Sequence, residues 1–307
     1  MKILISEYAV STGLGGTFLL EGRAMLRSLA SSFSGLGYDV RYTTAGVLID
    51  HGTAVSSNES DLGMVLERES RKADAALVIA PDDLLAELTA IIEDNTLNLG
   101  CSAETIALCA DKLECSRLLG SAGIDVPRCL DEGQQGDPDT PYVVKPRYGC
   151  ASEDTRLCYG PTVEKGYVAT EYIEGEHVSV SLLGGDHPVV LTINKQLIDI
   201  DVAVDNSPIG YRGSTIPYRT GMDDVLHYTA METSRILGCC GYIGIDIIVG
   251  DHPYVIDVNP RPTTSLVGIC KVIRPPIAEL ILRSRSGETV PSVEITGSYS
   301  FNKEELT

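Results

Sequence analysis

The sequence predicts an α/β protein: a small parallel sheet with helices on both faces, followed by a longer α+β region rich in strands. Three observations carry that prediction. Residues 1 to about 100 alternate strand-like apolar runs with amphipathic helical ones, the order that builds a parallel sheet. Beyond residue 141 the apolar runs follow one another with few helical patterns between them. Between these regions, Asp131 to Pro141 (DEGQQGDPDTP) is polar and rich in Gly and Pro, suited to a boundary within a mobile lobe.

Taken in order, the first strand is Ile3-Leu4-Ile5, followed by a helix around Phe18 to Phe33 and a strand from Val40 to Thr43. After a polar stretch come a helix near Leu62 to Lys72, the strand Ala75 to Ile79, and a helix from Asp82 to Ile92 capped by Asp82 or Asp83. One further helix is expected over Ala103 to Ala122, with Ser102 as its cap and Gly123 and Pro127 marking its end. The remaining apolar runs are strands: Tyr142 to Lys145, Tyr167 to Tyr172, Val178 to Leu183, Val189 to Asn194, Gly244 to Val249 and Tyr254 to Val258.

Composition narrows the function. With 307 residues, 43% of them hydrophobic, the chain can fill real cores. Its formal net charge of −19 repels polyanions, which argues against nucleic acid and anionic membranes as partners and makes local basic residues informative. The nine cysteines are scattered without a Cys-x-x-Cys pair and read as reduced thiols; the five histidines are dispersed, so zinc has little support. The run Lys2 to Ser6 meets Glu7 too soon for a signal peptide, and no stretch approaches the roughly 18 apolar residues a membrane span needs. The expectation is a cytoplasmic protein acting on small molecules, compatible with a homodimer.

The most informative stretch runs from Gly244 to Pro262 (GIDIIVGDHPYVIDVNPRP). Two β-branched runs flank Gly250 to Pro253, the pattern of a hairpin. A turn centred between Asp251 and His252 sets Asp246 opposite Asp257, with Asn259 two residues further on the same face. Ile245, Ile247, Ile256 and Val258 would then fill the other face. Like charges opposed at about 5 Å are unfavourable without a cation, and an oxygen-only donor set completed by water and phosphate suits Mg²⁺ better than Ca²⁺.

Basic residues add a second theme. Lys145 ends an apolar strand just before a turn, where an ammonium can meet phosphate while the strand holds its position. Lys112 follows Asp111 in the preceding helix, and Thr170 to His177 (TEYIEGEH) reads as a strand entering a turn at Gly175, able to offer backbone groups to a purine edge.

Together, Asp111-Lys112, the strand ending Val144-Lys145-Pro146, the Glu171-Tyr172-Ile173 hinge, Asp246, and Asp257-x-Asn259-x-Arg261 resemble the ATP-grasp superfamily over about residues 100 to 280. The resemblance implies a Rossmann-like domain over 1–100, a small lobe over 101–170 and a C-terminal lobe over 171–307. It further implies ATP and Mg²⁺ or Mn²⁺ as cofactors, with Lys112 and Lys145 on the phosphates, Glu171, Tyr172 and Ile173 at the adenine, and His177 at the ribose. Metal ligands map onto Asp246, Asp257 and Asn259; Arg261 maps near the transferred phosphate or substrate carboxylate. Some amino-acid ligases of the superfamily carry Arg two residues before the first metal-binding Asp, where this chain has Gly244, so Arg212 or Lys195 are candidates to supply that charge.

At the substrate end, Asn194-Lys195-Gln196 and Tyr211 to Pro217 resemble loops near the acyl-phosphate site in a group of archaeal ATP-grasp ligases, and the opening Ile5-Ser6-Glu7-Tyr8 with Leu20 to Leu26, together with Gly100-Cys101-Ser102, is similar to the tyramine–glutamate ligases of methanofuran biosynthesis. That resemblance implies an ADP-forming carboxylate–amine ligase working through an acyl phosphate, with glutamate and tyramine as substrates. The runners-up are a ligase joining another amino acid and amine, of lysine-ligase type, and a phosphate-transferring ATP-grasp enzyme. Glu7 and Glu21 are candidates either for a substrate ammonium or for a capping role. The loops from Asp131 to Thr140 and from Gly149 to Asp154 are the expected moving parts.

Overall fold

The computed structural model describes residues 1–149 and 154–306. The order of elements follows the sequence patterning, and three large sheets carry it, beside a two-stranded pairing of Ile273–Arg274 with Glu294–Ile295. The first is a five-stranded parallel sheet with the spatial order Thr53–Ser56, Asp39–Thr44, Lys2–Glu7, Ala75–Ile79, Leu97–Asn98. Its two edge strands have no counterpart in the expected list. Thr53–Ser56 is largely exposed and Leu97–Asn98 has two residues, so neither leaves an apolar run to read.

The second sheet is antiparallel and ordered Ser207–Pro208, Arg156–Tyr159, Pro141–Pro146, Tyr167–Glu171, Cys129–Leu130. The third has six antiparallel strands in the order Pro253–Asn259, Gly241–Val249, Glu176–Gly184, Val189–Asp199, Gly210–Ile216, Tyr299–Asn302. Helices Asp223–Ile236, Leu266–Val272 and Ile277–Ser286 pack around it.

The ends of the chain share one core. Leu26, Leu29 and Phe33 of helix Gly16–Gly35 join Ile3 and Ile5 of the parallel sheet and Leu266, Ile269, Ile277 and Ile281 of the C-terminal helices in a single buried cluster. Residues at opposite ends of the sequence thus exclude water together, which fixes the parallel sheet against the large antiparallel one.

Two local expectations are corrected. The single helix over Ala103 to Ala122 is two helices, Ala103–Ala110 and Lys112–Ser121, because Asp111 takes an extended conformation (φ −82°, ψ 91°) and caps the second through Glu114 N. The helix after Ala75–Ile79 begins with Pro81 at its cap position and no side-chain cap, so neither Asp82 nor Asp83 serves as the cap. The loop from Asp131 to Thr140 is tied to the strand side: Gly133 N donates to Val163 O and Gly136 N to Pro161 O. Residues 150–153 of the second expected loop lie outside the described residues. The cysteines of the described residues are free thiols, and no helix among those residues is long and apolar enough to cross a membrane.

The junction between the sheets depends on Gly241, which has φ +63° and would place a Cβ 2.3 Å from the Leu99 carbonyl oxygen. Both the left-handed backbone and the contact resist any side chain. Gly241→Ala is expected to lower unfolding free energy by about 2 kcal/mol or more, read by urea denaturation, whereas Gly123→Ala, at φ +88° with open space around it, tests the backbone cost alone.

Candidate active site

The hairpin turn centres on Asp251, with Val249 facing Pro253, and not between Asp251 and His252; the expected opposition of Asp246 and Asp257 is met because the register shifts by one residue between them and the turn. Gly244 faces Asn259, Ile245 faces Val258 and Asp246 faces Asp257; after that the register slips, and Ile247 faces Val255. Ile256 is therefore the extra residue of a β-bulge. Sequence reasoning set Ile256 on the buried face with Ile245, Ile247 and Val258; the bulge instead turns it to line the cavity. Its carbonyl, left without a ladder partner, accepts a 2.8 Å hydrogen bond from Lys145 Nζ. One skipped residue thus places the lysine of the small sheet beside the two carboxylates of the large one.

Asp246 is pushed up to about 7, by burial first and by the facing Asp257 second. Gln196 Nε2 donates to its Oδ1 at 3.0 Å and Asn259 Nδ2 to its Oδ2 at 3.3 Å. Asp257 behaves oppositely: burial opposes its charge, but Lys112, Lys145 and Arg261 together hold the carboxyl below its ordinary value. Burial pulls the Lys145 ammonium below its usual value, with Asp257 working against that. Two opposed carboxylates, one of them driven toward protonation, form a donor set that a hard divalent cation satisfies, because a cation there restores the charge of Asp246. The residues present fit such an ion.

The other cations converge from separate elements. Lys112 opens helix Lys112–Ser121, and its Nζ donates to Gly149 O at 2.6 Å. The Asp111 break that aims it is held by Arg147, which donates from Nε (2.8 Å) and Nη2 (2.7 Å) to the two Asp111 oxygens, and by the Tyr148 hydroxyl at 2.7 Å. Arg261 Nε donates to Asp82 Oδ1 at 3.2 Å, and Lys112 Nζ lies 3.7 Å from Asp82 Oδ2.

Asp246, Asp257, Asn259, Gln196, Lys112, Lys145 and Arg261 all line one cavity of about 400 Å³, lined also by Glu171, Tyr172, Ile173 and His177. Burial lowers the His177 imidazole, with Lys195 adding to the effect, so the ring stays neutral where a hydroxyl contact is expected. Arg212 and Lys195 are not brought to the cavity wall. Arg212 is half exposed and pairs with Asp199 and Glu304; Lys195 pairs with Glu176 at 3.3 Å and lies over the Tyr218 ring. Nor is there room for an arginine at position 244, since even a Cβ on Gly244 would stand 2.7 Å from Thr263 Cγ2. Lys303, which sequence reasoning missed because the C-terminal stretch carries no motif, lines the cavity instead.

Glu7 and Glu21 also line it. Glu7 is buried and caps helix Tyr8–Thr12 through Val10 N at 2.8 Å, while Glu21 accepts from Thr264 Oγ1 at 2.6 Å.

Comparison with known proteins decides the family: the model of the ATP-grasp domain matches residues 109–265, more than half of the chain. The chain belongs to the ATP-grasp family. ATP-grasp enzymes use ATP with divalent metal ions, in keeping with the cation-accepting carboxylate pair beside two lysines. The chain is 28% identical to tyramine–L-glutamate ligase of Methanocaldococcus fervens, over 98% of this chain and 100% of that protein. A crystal structure of a protein assigned to the ATP-grasp superfamily from Archaeoglobus fulgidus superposes with TM-score 0.77 at 28% identity, covering 95% of this chain and 90% of that one. An L-amino acid ligase from Bacillus licheniformis shares the fold at TM-score 0.73 and 15% identity, over 98% and 79% of the two chains.

Glu7 supplies a pH test. Burial raises its carboxyl to about 7, against backbone hydrogen bonds from Val10 and Ala9. The folded chain therefore holds a proton that the unfolded chain releases, so this contribution is fully present below the ordinary carboxylate value and is lost as pH rises to about 7. Each tenfold displacement of that equilibrium is worth about 1.4 kcal/mol. Stability of the parent relative to Glu7→Gln is expected to fall between pH 5 and pH 8, measured by denaturant titration at both; parallel curves would reject the assignment.

Proposed function

We propose that this chain is an ADP-forming ligase that joins a carboxylate to an amine, acting in the cytoplasm on small molecules, with L-glutamate and tyramine as its substrates. The observation that carries the reading is the meeting, in one cavity, of the opposed Asp246–Asp257 pair and Asn259 with Lys112, Lys145 and Arg261. The substrate identities come from similarity to tyramine–L-glutamate ligase, which extends over nearly the whole chain.

In this reading, residues 171–173 hold the adenine, His177 meets the ribose, and Lys112 and Lys145 bind the phosphates. Asp246, Asp257 and Asn259 hold Mg²⁺ or Mn²⁺, which when bound neutralises phosphate charge. The substrate carboxylate attacks the γ-phosphorus, the bond to ADP breaks, and an acyl phosphate forms; positioning and fixed charge lower this barrier without a protein nucleophile. The amine then attacks the acyl carbon, phosphate leaves, and the amide remains after the nitrogen loses its proton. Arg261 stabilises the charge that gathers on the transferred phosphoryl group. Water must be kept out while the acyl phosphate exists.

The direct test measures ADP release and amide product from glutamate with tyramine, against other amino acids with other amines. Amide from glutamate and tyramine supports the reading. Amide only from another pair corrects the substrates, and a stable phosphorylated product without amide replaces ligation with phosphoryl transfer. Asp257→Asn is expected to cost at least about 100-fold in turnover while leaving the far-ultraviolet circular dichroism unchanged. Chelation of divalent ions should abolish ADP release and added Mg²⁺ should restore it. Lys145→Ala is expected to weaken phosphate stabilisation by about 2–4 kcal/mol, read as kcat/KM for ATP.

A further inference from the structure

Asp82 stands outside every role assigned so far. It opens helix Asp82–Glu93 at the C-terminal end of strand Ala75–Ile79, two elements that belong to the parallel sheet and supply no phosphate-binding motif. Its carboxylate meets two of the cavity's cations, both from elsewhere in the chain: Arg261 at 3.2 Å on one oxygen and Lys112 at 3.7 Å on the other. All three side chains are nearly dry, with 8% of Asp82, 12% of Arg261 and 10% of Lys112 exposed. Asp82 does not itself line the cavity, whereas Arg261 and Lys112 do.

An acidic residue in the first turn ordinarily serves the helix dipole, for about 0.3–1 kcal/mol. Asp83 occupies the same turn, is exposed, and meets that need equally well. The burial of Asp82 and its two ion pairs are therefore not explained by its own helix. Three buried charges of this kind cost desolvation, and such an arrangement holds long side chains in one geometry only while all partners remain.

We propose that Asp82 is a positioning residue of the ATP-grasp site: from the N-terminal sheet it fixes Arg261, and with it Lys112, in the orientation that meets the nucleotide phosphates. It acts through these cations and touches neither nucleotide nor substrate. The proposal rests on the functional reading above for its activity measurements and on nucleotide binding alone for an independent one.

The experiment compares Asp82→Asn, Asp82→Glu and Asp83→Asn in the full chain, alone and, for Asp82→Asn, combined with Arg261→Ala. Asp82→Asn is expected to lower kcat about ten- to hundredfold, Asp82→Glu to recover part of that loss, and Asp83→Asn to leave kcat within about twofold. In the Arg261→Ala background, Asp82→Asn should cost at least about fivefold less than in the parent, the mark of two residues acting as one unit. Affinity for magnesium-ATP, measured by calorimetry, should follow the same non-additive pattern. Additive losses, or an Asp82→Asn protein with kcat and nucleotide affinity within about twofold of the parent, overturn the proposal. A variant whose kcat per nucleotide-binding site is unchanged while its melting temperature falls overturns it too, showing a structural role. If the parent binds nucleotide but forms no amide from any substrate pair, the ligase reading fails, and the calorimetric cycle still decides the role of Asp82.

Discussion

The site depends on one electrostatic constraint: two aspartates on neighbouring antiparallel strands face each other, and that opposition must be balanced by cations from other parts of the chain. Asp246 and Asp257 respond differently because their surroundings differ. Asp257 has Lys112, Lys145 and Arg261 near enough to keep it charged; Asp246 has amide donors from Gln196 and Asn259 and carries the burden of its neighbour's charge. Such a pair suits a divalent ion, because a cation there would remove the repulsion that the hairpin register imposes.

Balancing that pair organises the rest of the molecule. Lys145 arrives on a strand of the small sheet and is anchored by a carbonyl that a bulge releases. Lys112 arrives at the start of a helix whose continuity Asp111 interrupts, and the interruption is held by Arg147. Arg261 follows the hairpin itself and is met by Asp82 from the parallel sheet. The cavity is thus walled by all three large sheets, and the shared core between helix Gly16–Gly35 and the C-terminal helices keeps the N-terminal sheet in its place along that wall.

The N-terminal sheet is part of the cavity wall as well as a neighbour to it. Strand Ala75–Ile79 leads to Asp82, which meets Arg261 and Lys112, and strand Lys2–Glu7 delivers a buried carboxyl to the cavity that those two cations line. Carboxyl groups of Glu7 and Glu21 thus line the same cavity as Lys112, Lys145 and Arg261.

The sequence by itself determined the alternating order of the parallel sheet, the strand-rich remainder and a hairpin carrying Asp246 and Asp257, because periodicity is a local property of the chain; their direct opposition also needed the bulge, which offsets a turn centred on Asp251. It also marked Lys112, Lys145, residues 171–173 and His177, which share the cavity with the hairpin. It misplaced Ile256 because a bulge leaves no signature in a β-branched run, and it read one helix where Asp111 makes two because that break is stabilised by Arg147, distant in sequence. Arg212 and Lys195, singled out to supply the charge missing at Gly244, are turned by the fold toward Asp199, Glu304 and Glu176. Asp82 read only as a helix start, and Lys303 carried no pattern at all. What only the tertiary structure decided is which charges meet, since a side chain's partners are set by three-dimensional packing between segments that the linear chain keeps far apart.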